Sequence, residues 1–154
     1  MNFTNTKTLL FGILVLGTLS CKKSSTAPSK SKTELLTQAA WKIDVGGVDA
    51  DKNGTIDLAT NYPACQLDDT FLFKTGGSGD YNNNTLTCNT ADPLTGIFTW
   101  AFNAGETVIT ANIPFLSVNG DVTITTLDDN TLEVYYDKDA GGGIILRYIM
   151  RLKH

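Results

Sequence analysis

Apolar and polar residues alternate along much of the chain beyond Trp41. Trp41, Ile43 and Val45 begin this pattern, and a period of two places their side chains on one face of a β-strand. Comparable segments lie at Phe71 and Phe73, at Phe98, Trp100 and Phe102, at Val108 and Ile109, at Val122, Ile124 and Thr126, at Leu132, Val134 and Tyr136, and at Ile144, Leu146, Tyr148, Met150 and Leu152. The pattern therefore predicts seven or eight short strands.

Turn-forming residues separate the predicted strands. Gly46-Gly47 is expected to end or bend the first strand, because glycine weakens extended backbone. Asn119-Gly120 has the sequence of a two-residue hairpin turn, and Asp128-Asp129-Asn130 predicts a further turn. Short strands joined in this way favour an all-β fold, either an up-and-down antiparallel barrel of about eight strands or a sandwich.

One short helix is expected ahead of the strands. Ser31 and Glu34 have the spacing of a capping box, and apolar Leu35, Leu36 and Ala39 follow them. Residues 33–154 are thus predicted to form a single small β-domain with a short N-terminal helix.

The first 20 residues have the character of an export signal. An apolar run covers residues 9–16, and the small residues Thr18 and Ser20 precede Cys21. The run is shorter than the roughly 20 apolar residues that cross a bilayer, which disfavours a permanent membrane helix. Leu19-Ser20-Cys21 resembles the bacterial lipobox, although Thr18 stands where that motif usually has leucine. The resemblance implies removal of residues 1–20 and acylation of Cys21, for example with palmitate; the alternative is an ordinary secretory signal.

Residues 22–32 are polar and rich in serine and lysine, so they cannot bury enough apolar surface to fold. Residues 21–32 are therefore predicted to be a lipidated cysteine and a flexible tether. The tether carries four lysines and no acid, which suits either a position beside anionic lipid head groups or a solvated linker. Surface-exposed lipoproteins of the Bacteroidetes type often have acidic residues directly after the cysteine. Their absence here favours the periplasmic face of the outer membrane.

The charge of the domain is strongly negative. All sixteen acidic residues lie from Glu34 onward, together with seven basic ones, so this part of the chain has a formal net charge of −9. An acidic surface repels phosphate backbones, and a nucleic-acid partner is therefore not expected. No residue pattern fixes an oligomeric state.

Three cysteines leave an even pair once Cys21 is acylated. Cys65 and Cys88 are then expected to form a disulfide, because an exported protein meets an oxidising compartment. Such a bridge stabilises a domain by roughly 3.5 kcal/mol in the chain-entropy model. Metal binding or thiol catalysis by this pair would need a nearby histidine, and His154 at the end of the sequence is the only one.

Residues 49–57 match the first nine positions of a calcium-binding loop. The candidate oxygen ligands alternate along the loop, with Gly54 at the position of the sharp turn. They are Asp49, Asp51, Asn53, Thr55 and Asp57. The twelfth position, which normally supplies a bidentate glutamate, is Thr60, and this predicts weak affinity at best. The alternative is a hydrated loop without metal. No other cofactor is expected.

Several motifs together carry a family resemblance. They are Leu35-Leu36 with Trp41-Lys42, Cys65-x-x-Asp68-Asp69-Thr70-Phe71-x-Phe73, Cys88, Gly96-x-x-x-Trp100, and Thr126-Leu127 with Thr131-Leu132. Over residues 33–154 the chain resembles the lipocalin-like domains of Bacteroidetes lipoproteins, although Ala39 replaces a glycine of classical lipocalins. The resemblance implies an eight-stranded barrel closed by a short helix, and a role in holding small apolar molecules.

Six aromatic side chains are candidates to line such a cavity. They are Phe71, Phe73, Phe98, Trp100, Phe102 and Tyr148. The alternative is that they simply fill the barrel, because an eight-stranded barrel is just wide enough either to be packed solid or to hold one small ligand. Trp41 is expected to stack with Arg147 or Arg151 at the base of the barrel.

Two functions follow from these expectations. The first is a membrane-anchored lipocalin-like lipoprotein that binds a small hydrophobic ligand in the cell envelope. The second is a non-catalytic structural or protein-interaction domain, with calcium as a candidate stabiliser. Catalysis is not expected, because the adjacent carboxylates Asp68-Asp69 and Asp128-Asp129 point to opposite faces of a strand and form no acid–base pair on their own.

Overall fold

The computed structural model describes residues 29–116 and 118–154. The predicted signal peptide, Cys21 and the tether up to residue 28 lie outside the described residues. The described chain has two short helices, α1 (Lys32–Thr37) and α2 (Ala64–Leu67), a 3-10 turn at Pro114–Leu116, and nine strands. The strands are β1 (Lys42–Asp49), β2 (Leu58–Ala59), β3 (Thr70–Lys74), β4 (Ser78–Asn82), β5 (Thr95–Phe102), β6 (Val108–Ile113), β7 (Val118–Leu127), β8 (Thr131–Asp139) and β9 (Ile145–Lys153).

The nine strands form one antiparallel sheet in the order β2-β1-β9-β8-β7-β6-β5-β4-β3. From β3 to β9 each strand pairs with the next along the chain, and β1 returns to pair with β9. The predicted all-β antiparallel class is confirmed. Strand pairing leaves β2 and β3 as edges, and the sheet is not closed. One isolated bridge connects the two ends of the strand order. Its two 2.9 Å hydrogen bonds join the backbone of Trp41, directly before β1, to that of Phe71 in the edge strand β3.

The apolar alternation predicted most of these strands, but it missed β2 and β4. In β4 only Tyr81 is a large side chain, and Gly79 interrupts the pattern. Gly79 lies beneath the ring of Phe98 from β5, and a Cβ at this position would overlap that ring. Gly79 is therefore needed to leave room for the Phe98 ring. The alternation of apolar and polar residues could not predict this strand, because glycine has no side chain to contribute to the pattern.

Helix α1 begins as its sequence predicts. The Glu34 carboxylate accepts a hydrogen bond from the backbone N–H of Ser31 at 2.7 Å, and the Ser31 hydroxyl accepts one from the N–H of Glu34 at 3.2 Å. The helix ends at Thr37, so Ala39 lies beyond it. Its buried Leu36 anchors the helix on the sheet, because this side chain is fully enclosed in the core.

The core follows the alternation read from the sequence. Its buried members come from α1, from Trp41 and from eight of the strands. They are Leu36, Trp41, Ile43, Phe71, Phe73, Tyr81, Phe98, Trp100, Ile109, Ala111, Ile113, Val122, Leu132, Val134 and Leu152. Strands from both ends of the strand order contribute to this one cluster. The sheet therefore curls so that one of its faces encloses a common apolar interior.

Gly46-Gly47 does not end the first strand, contrary to one of the two expectations for it. Strand β1 continues to Asp49, and its irregularity lies earlier, between Ile43 and Val45. A Cβ on Gly46 would lie 2.5 Å from the Tyr62 hydroxyl, and one on Gly47 would overlap the backbone of the following segment. Both glycines leave room for residues 56–62 to fold back onto β1.

Asn119-Gly120 does not form the predicted hairpin turn. Both residues lie within β7, where they pair with Asn112 and Ala111. The chain instead reverses after β6 at Pro114–Leu116, where proline has no N–H to continue the ladder. The other predicted turn is confirmed, since the Asp128 carboxylate accepts hydrogen bonds from the backbone N–H groups of Asn130 and Thr131, both at 2.8 Å.

Trp41 is not covered by an arginine. Its indole N–H donates to the carbonyl of Leu36 at 2.8 Å, and its ring centroid lies 3.8 Å from that of His154. Arg147 lies over the ring of Tyr135, and Arg151 pairs with a carboxylate of β8. The expected arginine stacking is wrong because both arginines extend from β9 toward polar groups of the neighbouring strand.

Candidate functional site

The aromatic side chains expected to line a ligand cavity pack against one another. Phe73 meets Phe98 and Trp100 edge-on, at ring-centroid separations of 5.1 and 5.7 Å. The indole N–H of Trp100 is satisfied by the carbonyls of Ser78 and Lys74, at 2.9 and 3.2 Å. Phe71 is fully buried against Tyr81. These four phenylalanine and tryptophan rings fill space instead of surrounding it.

The remaining two candidates are only half-buried. Phe102 packs edge-on against Trp100, with ring centroids 5.4 Å apart. Tyr148 stacks on Tyr136 at 5.3 Å. Burial raises the pKa of Tyr136, with the neighbouring tyrosines Tyr148 and Tyr62 as further causes.

The apolar interior retains a cavity of about 40 Å³. Its lining comes from β3, β6, β7, β8, β9 and the 3-10 turn, and Phe73 is the one predicted ligand-lining residue that borders it. Pockets that hold small molecules usually measure roughly 300–1,000 Å³. The interior therefore has no room for an apolar ligand of ordinary size in this conformation.

The predicted calcium loop brings three carboxylates together. Oxygens of Asp49, Asp51 and Asp57 all lie within 4.8 Å of one another. Asp49 is fully buried at the end of β1, whereas Asp51 and Asp57 are exposed. Oxygen donors at such spacing match the chemistry of a hard divalent cation.

The same loop also satisfies its carboxylates internally. Asp49 accepts hydrogen bonds from the backbone N–H groups of Asn53 and Gly54, at 3.0 and 2.9 Å. Asp57 accepts one from the N–H of Ala50 at 2.8 Å, and the Asn53 side-chain oxygen accepts one from the N–H of Thr55. These bonds account for a stable turn without any ion, so the hydrated-loop alternative fits the geometry equally well.

The predicted cysteine pair lies at disulfide-bonding distance. Cys65 in α2 and Cys88 in the loop between β4 and β5 are bonded, with Cα atoms 5.2 Å apart. The bridge joins the segment before β3 to the loop after β4. It therefore closes one wall of a cavity that the sequence did not predict.

This cavity, the disulfide pocket, has a volume of about 280 Å³. Its lining residues come from α2, the start of β3, β4, the loop that contains Cys88, and the 3-10 turn. They are Gln66, Asp69, Tyr81, Asn83, Cys88, Asp92, Pro93, Pro114 and Phe115. Acids, amides, prolines and aromatic rings thus share one concave surface.

Asp69 is the most unusual group in the disulfide pocket. The residue is only 6% exposed, and its Oδ2 accepts a 3.0 Å hydrogen bond from the Tyr81 hydroxyl. Its Oδ1 is buried and has no hydrogen-bond partner among the described residues. A buried carboxylate oxygen in this state is costly, because it has lost water without gaining a donor.

The electrostatic surroundings add to this cost. The pKa of Asp69 is raised to about 6, chiefly by burial and in smaller part by the charges of Asp68 and Asp92, against the lowering effect of the hydrogen bond from Tyr81. Burial also raises the pKa of Tyr81, reinforced by its bond to Asp69. Among the described residues no lysine, arginine or histidine lines the pocket. The pKa of Asp69 therefore lies close to neutral pH, and the described lining of the pocket contains no basic side chain that would neutralise its charge.

Asp68 and Asp69 have different partners, but not because they alternate along a strand: Asp68 is the C-cap residue of α2, and β3 begins only at Thr70. Asp68 accepts hydrogen bonds from the backbone N–H groups of Thr85 and Leu86, at 3.2 and 3.1 Å, and from the Thr85 hydroxyl. It thus fastens the loop that carries Cys88, while Asp69 faces Tyr81. The two carboxylates do not form a shared acid–base pair.

The aromatic wall of the disulfide pocket is tightly packed. The Phe115 ring stacks on Tyr81 with centroids 3.9 Å apart and an interplanar angle of 12°. The ring also covers Gly96, where a Cβ would overlap it. Gly96 pairs with Tyr81 across β4 and β5, so the two strands present a preformed slot for the phenyl ring.

No family model matches this chain, and no curated protein is significantly similar to it. Among the described residues, the helices are too short and too polar to cross a membrane.

Sequence analysis passed over the disulfide pocket although one signal was present. Asp69 stands two positions before Phe71 and four before Phe73, so the same period that buries those rings also directs Asp69 inward. An acid at an inward-facing position is rare without a role or a partner. Tyr81 and Phe115 gave no comparable signal, because their proximity depends on the pairing of β3, β4 and β5.

Proposed function

We propose that this chain is an exported lipoprotein of the cell envelope whose lipocalin-like β-barrel acts through its surface, as a non-catalytic structural or interaction domain. The observation that carries the proposal is the packed apolar interior, where the cavity lined by core side chains of β3 and β6–β9 measures about 40 Å³. A barrel packed solid has no interior site for a small hydrophobic molecule.

Closure into a barrel is supported by the bridge between Trp41 and Phe71, because these residues belong to opposite ends of the strand order. The common core, to which both sides contribute, supports the same geometry. The short helix α1 packs its fully buried Leu36 into that core. These features agree with the resemblance to lipocalin-like domains, in which a helix closes one end.

Anchoring rests on the N-terminal sequence. The apolar run, the relaxed lipobox and the lysine-rich tether point to acylation of Cys21 and to the periplasmic face of the outer membrane. Intact-mass analysis of protein from its native cells tests this. We expect a mature chain that begins at Cys21 and carries acyl groups, and Cys21→Ser should leave the membrane fraction. A mature chain that is not acylated would overturn the anchoring.

The second candidate function is the binding of a small hydrophobic ligand inside the barrel. The apolar lining of the small interior cavity favours it only if core side chains move apart. Organic extraction of the natively purified protein, followed by mass spectrometry, separates the two candidates. We expect no stoichiometric apolar compound; recovery of one would reverse the order of the two proposals.

Calcium would strengthen the surface role without creating a catalytic site. The convergence of Asp49, Asp51 and Asp57 supports the idea that the ion crosslinks the end of β1 to its following loop. Lys52 and Arg147 both pair with Asp137 nearby, so the loop is already linked to β8 and β9 by ion pairs. An ion at the carboxylates would complete this network.

A further inference from the structure

We propose that the disulfide pocket binds a small organic cation, a primary or quaternary ammonium compound, with the Asp69 carboxylate as its counter-ion. The pocket borders the apolar core, since Tyr81 belongs to the core and Phe115 packs against it. The proposal does not depend on the structural role proposed above. The juxtaposition that carries it is a buried carboxylate with only one of its oxygens hydrogen-bonded among the described residues, lining a cavity that also contains acids and aromatic rings.

The unpartnered oxygen points to the charge of the ligand. Asp69 is 94% buried, and of its two oxygens only Oδ2 has a donor among the described residues, the Tyr81 hydroxyl. Oδ1 is itself enclosed, so a ligand in the pocket would compensate the negative charge of the carboxylate as a whole and need not bond this oxygen directly. A ligand that brings positive charge removes the cost of the buried anion, whereas a neutral or anionic ligand does not.

The neighbouring charges favour the same sign. Asp92 lines the pocket and Asp68 lies beside it, and both act on Asp69 as like charges. The described lining contains no basic residue that would neutralise them. The net charge of −9 beyond residue 33 adds a long-range field that draws cations toward the domain.

The other walls favour an organic cation over a metal ion. Among the described residues, the pocket acids are not part of any convergent group of three or more acidic, histidine or cysteine side chains, unlike Asp49, Asp51 and Asp57. Pro93, Pro114 and the Phe115 ring instead offer apolar contact to the carbon atoms of an amine. An aromatic face beside a carboxylate is a common environment for an ammonium group.

The pocket is also preformed and of suitable size. Its volume of about 280 Å³ lies near the lower end of the range for small-molecule sites. The disulfide fixes the loop that carries Asp92, and the stacked Phe115 and Tyr81 rings fix the opposite wall. A larger cleft of about 320 Å³ lies along β7 and β8, but among the described residues no unpartnered buried side chain borders it.

Calorimetric titration of the full-length protein with propylammonium and tetramethylammonium tests the proposal. We expect saturable binding of at least one of the two, and none of neutral propanol or of propionate. Asp69→Asn should weaken the binding roughly tenfold or more, because the counter-charge is removed while the bond from Tyr81 can persist. Asp129→Asn removes one charge from an exposed turn of the same domain and should leave the affinity unchanged.

Circular dichroism and thermal melting establish that the variants are folded. Phe115→Leu should lower the affinity for tetramethylammonium more than the affinity for propylammonium, because the quaternary ion depends more on contact with the aromatic ring. The proposal is overturned if neither ammonium binds at millimolar concentration, or if folded Asp69→Asn binds like the parent protein. It is also overturned if calcium or magnesium binds in an Asp69-dependent way while the ammonium ions do not.

Discussion

Two acidic regions of this domain differ in how they handle buried charge. In the loop 49–57, the buried Asp49 has a backbone N–H on each of its carboxylate oxygens. In the disulfide pocket, the buried Asp69 has one oxygen with a donor and one without. Both oxygens of Asp49 are hydrogen-bonded by residues close to it in the chain. Asp69 lacks a donor to one oxygen among the described residues.

The difference separates a structural carboxylate from a candidate binding carboxylate. Asp49 contributes stability whether or not an ion is present, since its bonds fix the turn. Asp69 lowers stability as an anion, and such a cost is typical of groups positioned for a ligand. The number of acids alone does not reveal this difference, because the loop contains three and the pocket lining contains two.

The largest expected effect comes from removing the disulfide. Cys65→Ser with Cys88→Ser should lower the free energy of unfolding by about 3.5 kcal/mol, because the crosslink no longer restrains the unfolded chain. Chemical denaturation of both proteins measures the difference. The folded double variant should also lose ammonium binding, because the bridge forms part of the pocket wall. Any response of the loop 49–57 to calcium should be unchanged, because the bridge does not contact that loop.

Replacing Asp69 should stabilise the protein in a pH-dependent way. The native pKa of about 6 lies above the ordinary value of 3.8, so the folded state binds the proton more tightly than the unfolded state. The parent protein therefore loses stability as the pH rises from about 4 to about 6, and stays lower above that range. The Asp69→Asn variant lacks this titration and should therefore be more stable than the parent protein by about 3 kcal/mol at pH 7.5, and nearly equal to it at pH 4.

Denaturation of the two proteins across this pH range isolates the contribution of Asp69, since all other groups are common to both. The titratable groups that face it are Asp68, Tyr81 and Asp92, with no base among the described lining residues. Equal stability differences at pH 4 and pH 7.5 would contradict the raised pKa.

Asp49→Ala should show the opposite sign. Removing this buried carboxylate leaves the N–H groups of Asn53 and Gly54 without their acceptor and should lower stability by about 2 kcal/mol. Asp51→Ala is the matched control, because Asp51 is exposed, and it should cost well under 1 kcal/mol. If the two variants lost equal stability, the distinction between the buried and exposed members of this loop would fail.

The sequence predicted what local rules decide. The capping box of Ser31 and Glu34, the turn at Asp128 and the inward faces of β3, β5 and β8 all depend on residues near one another in the chain. The pairing of Cys65 with Cys88 followed from counting cysteines. Even the loop 49–57 was recognisable, because its donors and acceptors lie within nine consecutive residues.

Failures arose wherever distant segments decide the outcome. Asn119-Gly120 lost its turn because β6 pairs through that position, and Gly46-Gly47 stayed in a strand because residues 56–62 pack onto it. The disulfide pocket is assembled from five separate parts of the chain, so no short motif could encode it. The filled interior is likewise a sum of many side-chain volumes, which alternation does not specify.

The smallest expected effect is that of calcium on the loop 49–57. Without a bidentate ligand at Thr60, affinity should lie in the millimolar range seen at extracellular calcium sites. Calcium at several millimolar should then raise stability by about 1 kcal/mol, measured as a higher Tm. Asp51→Ala with Asp57→Ala should abolish the shift, whereas Asp69→Asn should retain it, because Asp69 belongs to the other acidic region. A shift that persisted in the loop variant but vanished in Asp69→Asn would reverse the roles assigned to the two regions, making the pocket the metal site and the loop a simple turn.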